Sequence, residues 1–218
     1  MNFYIFTIFP DSLKPYFESS ILGRAQKEGL INIETIDIRD FSEEKHKMTD
    51  DRPFGGGAGM VMKVEPIVKA IESVFETKEK KPSVIITTTS GKQFDQKIAM
   101  EFSKKGEDLV IICGHYEGLD ERIGDVLSEL GYDVQEFSAG PYILTGGELP
   151  AAIMVEAISR HQKGVLGKEE SLEEIKGSYP VYTRPEVFEY RGKEYKVPEV
   201  LLSGNHKKIA EWRKNNSK

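Results

Sequence analysis

The chain has 218 residues, 39% of them hydrophobic and 30% charged, and no apolar run approaches the roughly 18–20 residues that span a bilayer. Its formal net charge of −6 argues against a protein that coats nucleic acid nonspecifically, because that mode of binding needs many cations to neutralise phosphates. The single cysteine excludes an internal disulfide and is typical of the reducing cytoplasm. One cysteine and four scattered histidines argue against a structural zinc site.

Strands and helices are predicted to alternate through the first three quarters of the chain. Short apolar or alternating segments bounded by turn residues predict strands at Asn2–Phe9, Ile31–Ile38, Ser83–Thr88, Leu109–Cys113 and Tyr132–Phe137. Apolar residues at helical spacing predict helices at Pro10–Gly29, Val64–Phe75, Asp95–Lys105, Asp120–Leu130 and Gly147–His161. The predicted fold class is therefore α/β, with a mostly parallel sheet and helices on both faces.

The pattern changes after Arg160. Residues 162–196 are polar and lack apolar periodicity, which is typical of a linker. A short apolar approach and a basic helix, His206–Lys214, follow it. We therefore predict three parts: a domain over 1–161, a linker over 162–196 and a short helical domain over 197–218.

Two glycine-bearing loops, residues 113–122 and 138–148, are the strongest functional signal. Each follows a predicted strand, and glycine lets the backbone approach a ligand because no Cβ stands in the way. Neither contains the G-x-G-x-x-G motif of nicotinamide enzymes, and the run Gly55–Gly59 lacks the ending of a phosphate-binding P-loop. The two loops together predict a site that holds a flat cofactor by main-chain groups.

Six sequence blocks, in this order, resemble bacterial tRNA (guanine-N1)-methyltransferases. They are Thr7–Pro10, Phe54–Met62, Cys113–Arg122, Leu144–Ala151, Tyr182–Pro185 and Val197–His206. The family methylates guanosine 37, next to the tRNA anticodon. The resemblance implies the trefoil-knotted SPOUT fold, with a C-terminal knot that pattern alone does not predict, followed by a small helical domain, in a homodimer.

The resemblance also implies S-adenosylmethionine as methyl donor, with assistance from Mg²⁺. Family positions that hold the donor correspond to Thr87, Thr88, Gly114, Tyr116, Gly118, Ala139, Gly140, Pro141, Tyr142, Ile143, Leu144, Gly146 and Gly147. Pro141 stands where relatives have aspartate, which removes an N–H and a carboxylate from this loop. No protein metal site is expected.

Methylation at guanine N1 needs a base to remove the N1 proton and a donor to stabilise the charge that develops on O6. By resemblance Arg160 is the donor on O6. The family's aspartate base is out of register here, so Glu174 or Glu173 takes its place, or both are solvated loop residues. Glu117 is a further candidate, to orient Arg160 or to assist proton transfer.

Two alternatives stay open on this evidence. The altered base segment is also compatible with a non-catalytic homologue that binds the cofactor or tRNA, and a different RNA nucleotide is a third possibility. Lys207, Lys208 and Arg213 of the last helix are candidate phosphate contacts, or a solvated face.

Overall fold

A computed structural model describes residues 1–78, 80–167 and 177–217. It divides into two compact units, Met1–Leu166 and Gly167–Lys218. The first unit thus runs past the predicted end of the first domain at residue 161. No helix in the described part of the chain is long and apolar enough to cross a membrane.

The first unit is built on a five-stranded sheet in which every pairing is parallel. Its strands are β1 (Asn2–Thr7), β2 (Asn32–Asp37), β5 (Ser83–Gln93), β6 (Leu109–Cys113) and β7 (Asp133–Ser138), in the order β2-β1-β6-β5-β7. Its helices are α1 (Lys14–Phe17), α2 (Ser20–Lys27), α3 (Val64–Phe75), α4 (Gln96–Lys105), α5 (Arg122–Glu129) and α6 (Glu148–Ser159). A two-stranded antiparallel pair, β3 (Asp50–Asp51) and β4 (Val61–Met62), brackets the glycine-rich loop. The predicted α/β class with a mostly parallel sheet is confirmed.

Each face of the sheet has its own hydrophobic core. Phe3 and Ile5 of β1 belong to the core formed with α1, α2, α4 and α6, whereas Tyr4 and Phe6 belong to the core formed with α3 and α5. Every residue of β6 is buried, because successive side chains enter opposite cores. Full burial of one large apolar side chain contributes about 1.5–3 kcal/mol, so the central strands fix the position of everything at their ends.

Two predicted elements differ from the structure. The single helix predicted over Pro10–Gly29 is wrong: a 3-10 turn at Pro10–Ser12 is followed by two separate helices. The break lies between Phe17 and Ser20, and the φ of 49° at Ser20, in the left-handed region, prevents α1 from continuing into α2 as one right-handed helix. Strand β5 also continues beyond Thr88 to Gln93, because Phe137 pairs with both Thr87 and Lys92 across an irregularity that loops out the residues between them.

The second unit contains an antiparallel hairpin and two helices. The hairpin joins β8 (Val187–Tyr190) to β9 (Lys193–Lys196), and the helices are α7 (Glu199–Leu202) and α8 (His206–Asn215). The sequence analysis assigned these residues to a linker and did not predict the hairpin, because neither strand has a buried apolar face.

Candidate active site

The candidate site is a cleft of about 390 Å³ at the carboxyl edge of the sheet. Strands β5, β6 and β7 all end there, and their parallel direction brings the loops after them together. Open parallel sheets bind ligands at this edge, where the order of the strands in the sheet reverses. The volume is within the range of small-molecule sites, about 300–1,000 Å³.

Most of the predicted cofactor residues line this cleft. Those on it are Thr87, Thr88, Gly114, Tyr116, Gly118, Ala139, Tyr142, Ile143, Leu144, Gly146 and Gly147. Gly140 and Pro141 are absent from its lining. The irregularity in β5 also brings Thr89 and Ser90 to the cleft wall; the resemblance places Thr89 in one cofactor loop with Thr87 and Thr88, whereas Ser90 was not predicted.

The two glycine loops are hydrogen-bonded to each other at the floor of the cleft. The N–H of Gly147 donates to the carbonyl oxygen of Gly114 over 2.7 Å. A Cβ on Gly147 would come 2.7 Å from the Cα of Cys113 and 2.8 Å from the nitrogen of Gly114. Only glycine therefore fits at position 147, and this close approach fixes the start of α6 against the end of β6.

The glycine-rich loop after Pro53 borders the same site through Glu117. The N–H of Glu117 donates to the carbonyl oxygen of Met60 over 3.0 Å, and the N–H of Met62 donates to that of Gly118 over 2.9 Å. The Glu117 carboxylate lies against Gly59, where a Cβ would stand 2.7 Å from the carboxyl carbon. Glu117 is thus held between two loops, with its carboxylate at the cleft.

A buried polar group behind the cleft was missed by the sequence analysis. The Thr7 hydroxyl donates to Glu148 Oε1 over 2.6 Å, and the other oxygen of Glu148 lies 3.7 Å from His115 Nδ1. Within the described residues, His115 Nδ1 is buried and has no hydrogen-bond partner. Thr7 and Glu148 both lie in the sequence blocks of the resemblance, but only the fold brings these distant residues together.

The charges at the cleft favour a cationic ligand. Four carboxylates line it, on Glu117, Asp120, Glu121 and Glu136, and its described lining contains no lysine or arginine. A hydrogen bond from the Arg122 guanidinium lowers the pKa of Asp120, so that carboxylate is charged at neutral pH. At the floor, burial and then the charge of Glu148 raise the pKa of the Cys113 thiol well above its usual value, so the thiol is neutral.

Arg160 caps the carboxyl end of α6. Its Nε is buried and has no hydrogen-bond partner among the described residues. It does not belong to the cleft lining. A buried guanidinium nitrogen without an acceptor is costly, and an acceptor such as a water or a ligand oxygen would satisfy it.

The other predicted catalytic and RNA-binding residues lie elsewhere. Glu173 and Glu174 lie outside the described residues. Lys207, Lys208 and Arg213 are exposed on α8 of the second unit. The Arg213 guanidinium lies 4.9 Å from the ring centre of Tyr179.

Comparison with known proteins decides the family. The family model described as "tRNA (Guanine-1)-methyltransferase TrmD" matches residues 1–218. The chain belongs to this family. Its membership agrees with the resemblance drawn from the six sequence blocks.

Members of the TrmD family are similar to this chain over its full length. A tRNA (guanine-N(1)-)-methyltransferase of Clostridioides difficile is 50% identical over 223 residues, covering 100% of this chain and 92% of that protein. The protein of the same name from Caldicellulosiruptor saccharolyticus is 50% identical over 221 residues, covering 100% of this chain and 85% of its own length. That of Dictyoglomus turgidum is 47% identical over 215 residues, covering 96% and 82%.

Proposed function

We propose that the chain transfers a methyl group from S-adenosylmethionine to N1 of guanosine 37 in tRNA. The observation that carries this proposal is the glycine-walled, carboxylate-lined cleft in a chain of the TrmD family. Relatives that are about half identical carry the name of this activity.

The residues of the cleft fit S-adenosylmethionine by shape and by charge. Ile86, Leu119 and Ile123 offer apolar surface for an adenine ring, and the adjoining loops offer main-chain donors and acceptors. The carboxylates complement a ligand with a positively charged sulfur and ammonium group. They disfavour a cofactor bound through phosphates, because negative charges close together repel.

When bound, S-adenosylmethionine supplies an electrophilic methyl group on a sulfonium. The chain's own task is to make guanine N1 nucleophilic. A carboxylate accepts the N1 proton, and the negative charge that spreads to O6 is stabilised by the guanidinium of Arg160. The orphaned Nε of Arg160 supports this role, since a donor without a partner is ready to bind an incoming oxygen.

The general base is proposed to be Glu174 or Glu173, with Glu117 as the third candidate. Glu117 has the support of its position, because it lines the cleft, its N–H donates to the carbonyl oxygen of Met60 and its carboxylate lies against Gly59. It also has a second possible role, the orientation of Arg160. Replacement of each of the three by glutamine, with turnover measured at saturating cofactor and tRNA, distinguishes these assignments.

We further propose a homodimer of trefoil-knotted subunits in the cytoplasm, with Lys207, Lys208 and Arg213 contacting tRNA phosphates. Exposed apolar side chains on α6 and in the loop before it support the dimer. The free, buried cysteine is compatible with a reducing compartment. No three metal-ligating side chains come together within the described residues, so Mg²⁺ would depend on substrate oxygens with at most one or two carboxylates.

The test is transfer of labelled methyl from S-adenosylmethionine to tRNA transcripts with guanine or adenine at position 37. Incorporation only into the guanine transcript is the expected result. Transfer to both transcripts would indicate another target nucleotide. Calorimetric cofactor binding without any transfer would indicate a non-catalytic homologue.

A further inference from the structure

The hairpin β8–β9 of the second unit places three aromatic side chains on one face. Phe188 pairs with Tyr195, and Tyr190 pairs with Lys193. Side chains two residues apart on a strand point to the same side, so these four residues share a face. The turn between the strands consists of Arg191 and Gly192, both with positive φ, which places the guanidinium of Arg191 at the tip of the hairpin.

The three rings are exposed and arranged side by side. Phe188, Tyr190 and Tyr195 keep 55%, 53% and 49% of their surface accessible. The Phe188 and Tyr190 rings are almost parallel, at 9°, with centres 6.3 Å apart, and Tyr195 lies at the same distance from Phe188. Exposed apolar patches on proteins often mark binding surfaces, so this row of exposed rings is a candidate binding surface.

Charge differs between the two faces of the hairpin. The aromatic face carries the ammonium of Lys193, 5.0 Å from the ring centre of Tyr195, and no carboxylate. On the opposite face Glu189 pairs directly with Glu194, and Val187 pairs with Lys196. The carboxylates are therefore confined to the opposite face, where Lys196 pairs with Glu194 over 2.8 Å, and Lys193 and Arg191 lie beside the rings.

The described part of the second unit is basic, although the whole chain is acidic. Residues 177–217 contain eight lysines and arginines against five glutamates, in a chain of net charge −6. Aromatic rings accompanied by cations are the combination that binds single-stranded nucleic acid: the rings stack on bases and the cations contact phosphates. A protein partner would not require this separation of charges.

We propose that the aromatic face of the hairpin, formed by Phe188, Tyr190, Lys193 and Tyr195, binds unpaired nucleotides of the tRNA by base stacking. The proposal rests on tRNA being the substrate and adds a contact surface to it. Phe188, Tyr190 and Tyr195 supply the stacking surfaces. Lys193 and Arg191 supply charge for the adjoining phosphates.

The test compares alanine variants of the two faces. Phe188→Ala, Tyr190→Ala and Tyr195→Ala are each expected to raise the Kd for full-length tRNA about tenfold, as measured by fluorescence anisotropy. Val187→Ala and Glu189→Gln, on the opposite face, are matched controls expected to bind like the unaltered chain. Tyr190→Phe keeps the ring and is expected to keep the affinity, which separates stacking from a hydroxyl contact or misfolding.

Salt dependence adds a second readout. The loss caused by Tyr195→Ala should be the same at low and high salt, because stacking releases no counterions. The loss caused by Lys193→Gln should shrink as salt rises. Unchanged tRNA affinity in Phe188→Ala and Tyr190→Ala would overturn the proposal. Dissociation of the protein into smaller species by these variants would also overturn it, since the face would then be a subunit contact.

These outcomes are separable from failure of the proposed function. tRNA affinity is measured without methyl transfer, and methyl transfer is measured on the unaltered chain. If the unaltered chain methylates guanosine 37 while the aromatic variants bind tRNA normally, only the stacking proposal fails. If the unaltered chain transfers no methyl group but loses tRNA affinity in the aromatic variants, the stacking proposal stands and the proposed methyl transfer fails.

Discussion

Gly147 lies so close to the backbone of Cys113 and Gly114 that it has no room for a side chain. We expect Gly147→Ala to displace the start of α6 and to weaken S-adenosylmethionine binding by tenfold or more, because overpacking a tight site costs about 1–3 kcal/mol. Isothermal titration calorimetry measures the change. Gly167→Ala is the control, since no atom of the described residues lies within 4 Å of its added Cβ. Equal cofactor affinity in the two variants would show that the close approach at Gly147 is not needed for cofactor binding.

Arg160 is proposed to contact the guanine that is methylated, whereas Gly147 lines the cofactor cleft. Arg160→Ala is expected to reduce kcat about 10²–10³-fold, the usual cost of losing a donor to a developing oxyanion. Cofactor affinity should stay the same, since Arg160 does not line the cleft. Single-turnover methyl transfer gives the first quantity and calorimetry the second. A large loss of cofactor affinity would make Arg160 a structural residue instead.

The thiol of Cys113 predicts how stability changes with pH. Burial raises its pKa above the ordinary value of 9.0, so the folded thiol keeps its proton at a pH where the unfolded one loses it. The stability that this neutral thiol provides is fully present below pH 9.0 and is lost as pH rises, by about 1.4 kcal/mol per unit. Urea unfolding at about pH 8 and about pH 10 should show a steeper loss in the unaltered chain than in Cys113→Ala. Identical losses in both proteins would show that the thiol does not contribute.

At the scale of elements, strand positions follow closely from sequence, whereas the shapes of strand ends do not. The apolar run Leu109–Cys113 predicts a buried strand with the bounds that the structure gives. The continuation of β5 beyond Thr88 depends on Phe137 of β7, which accepts two partners from β5. A residue pairing between separate strands leaves no mark on the periodicity of either strand, so the irregularity in β5 that brings Ser90 to the cleft could not be predicted.

Helix α8 supplies a prediction about charge. Its exposed lysines, Lys207 and Lys208, are proposed to contact phosphates, so the double change to glutamine should weaken tRNA binding and flatten its salt dependence. Each lost phosphate contact lowers the slope of log Kd against log salt by about 0.7–0.9. Glu211→Gln, on the same helix, removes a negative charge and is expected to leave the affinity unchanged or to strengthen it. An unaltered slope in the double variant would assign the lysines to a solvated face.

At the scale of the whole molecule, exposed apolar residues of α6 predict a second subunit. Leu149 and Ile153 lie four residues apart on one helical face, and 62% and 43% of their surfaces are accessible. Leu149→Asp with Ile153→Asp is expected to yield monomers by light scattering and to abolish transfer if the active site lies between subunits. Lys97→Asp, at an exposed position of α4, is the control for the added charge. A variant that remains a dimer would place the interface on another surface.

The sequence by itself determined the α/β class, the five strands of the parallel sheet and the two glycine loops of the cleft. Hydrophobic periodicity and glycine placement are local, and six sequence blocks carried the family. Only the tertiary structure brought Thr7, His115 and Glu148 together and confined the cleft charges to carboxylates. These features depend on distances between residues far apart in the chain, and such distances are set by how the elements pack.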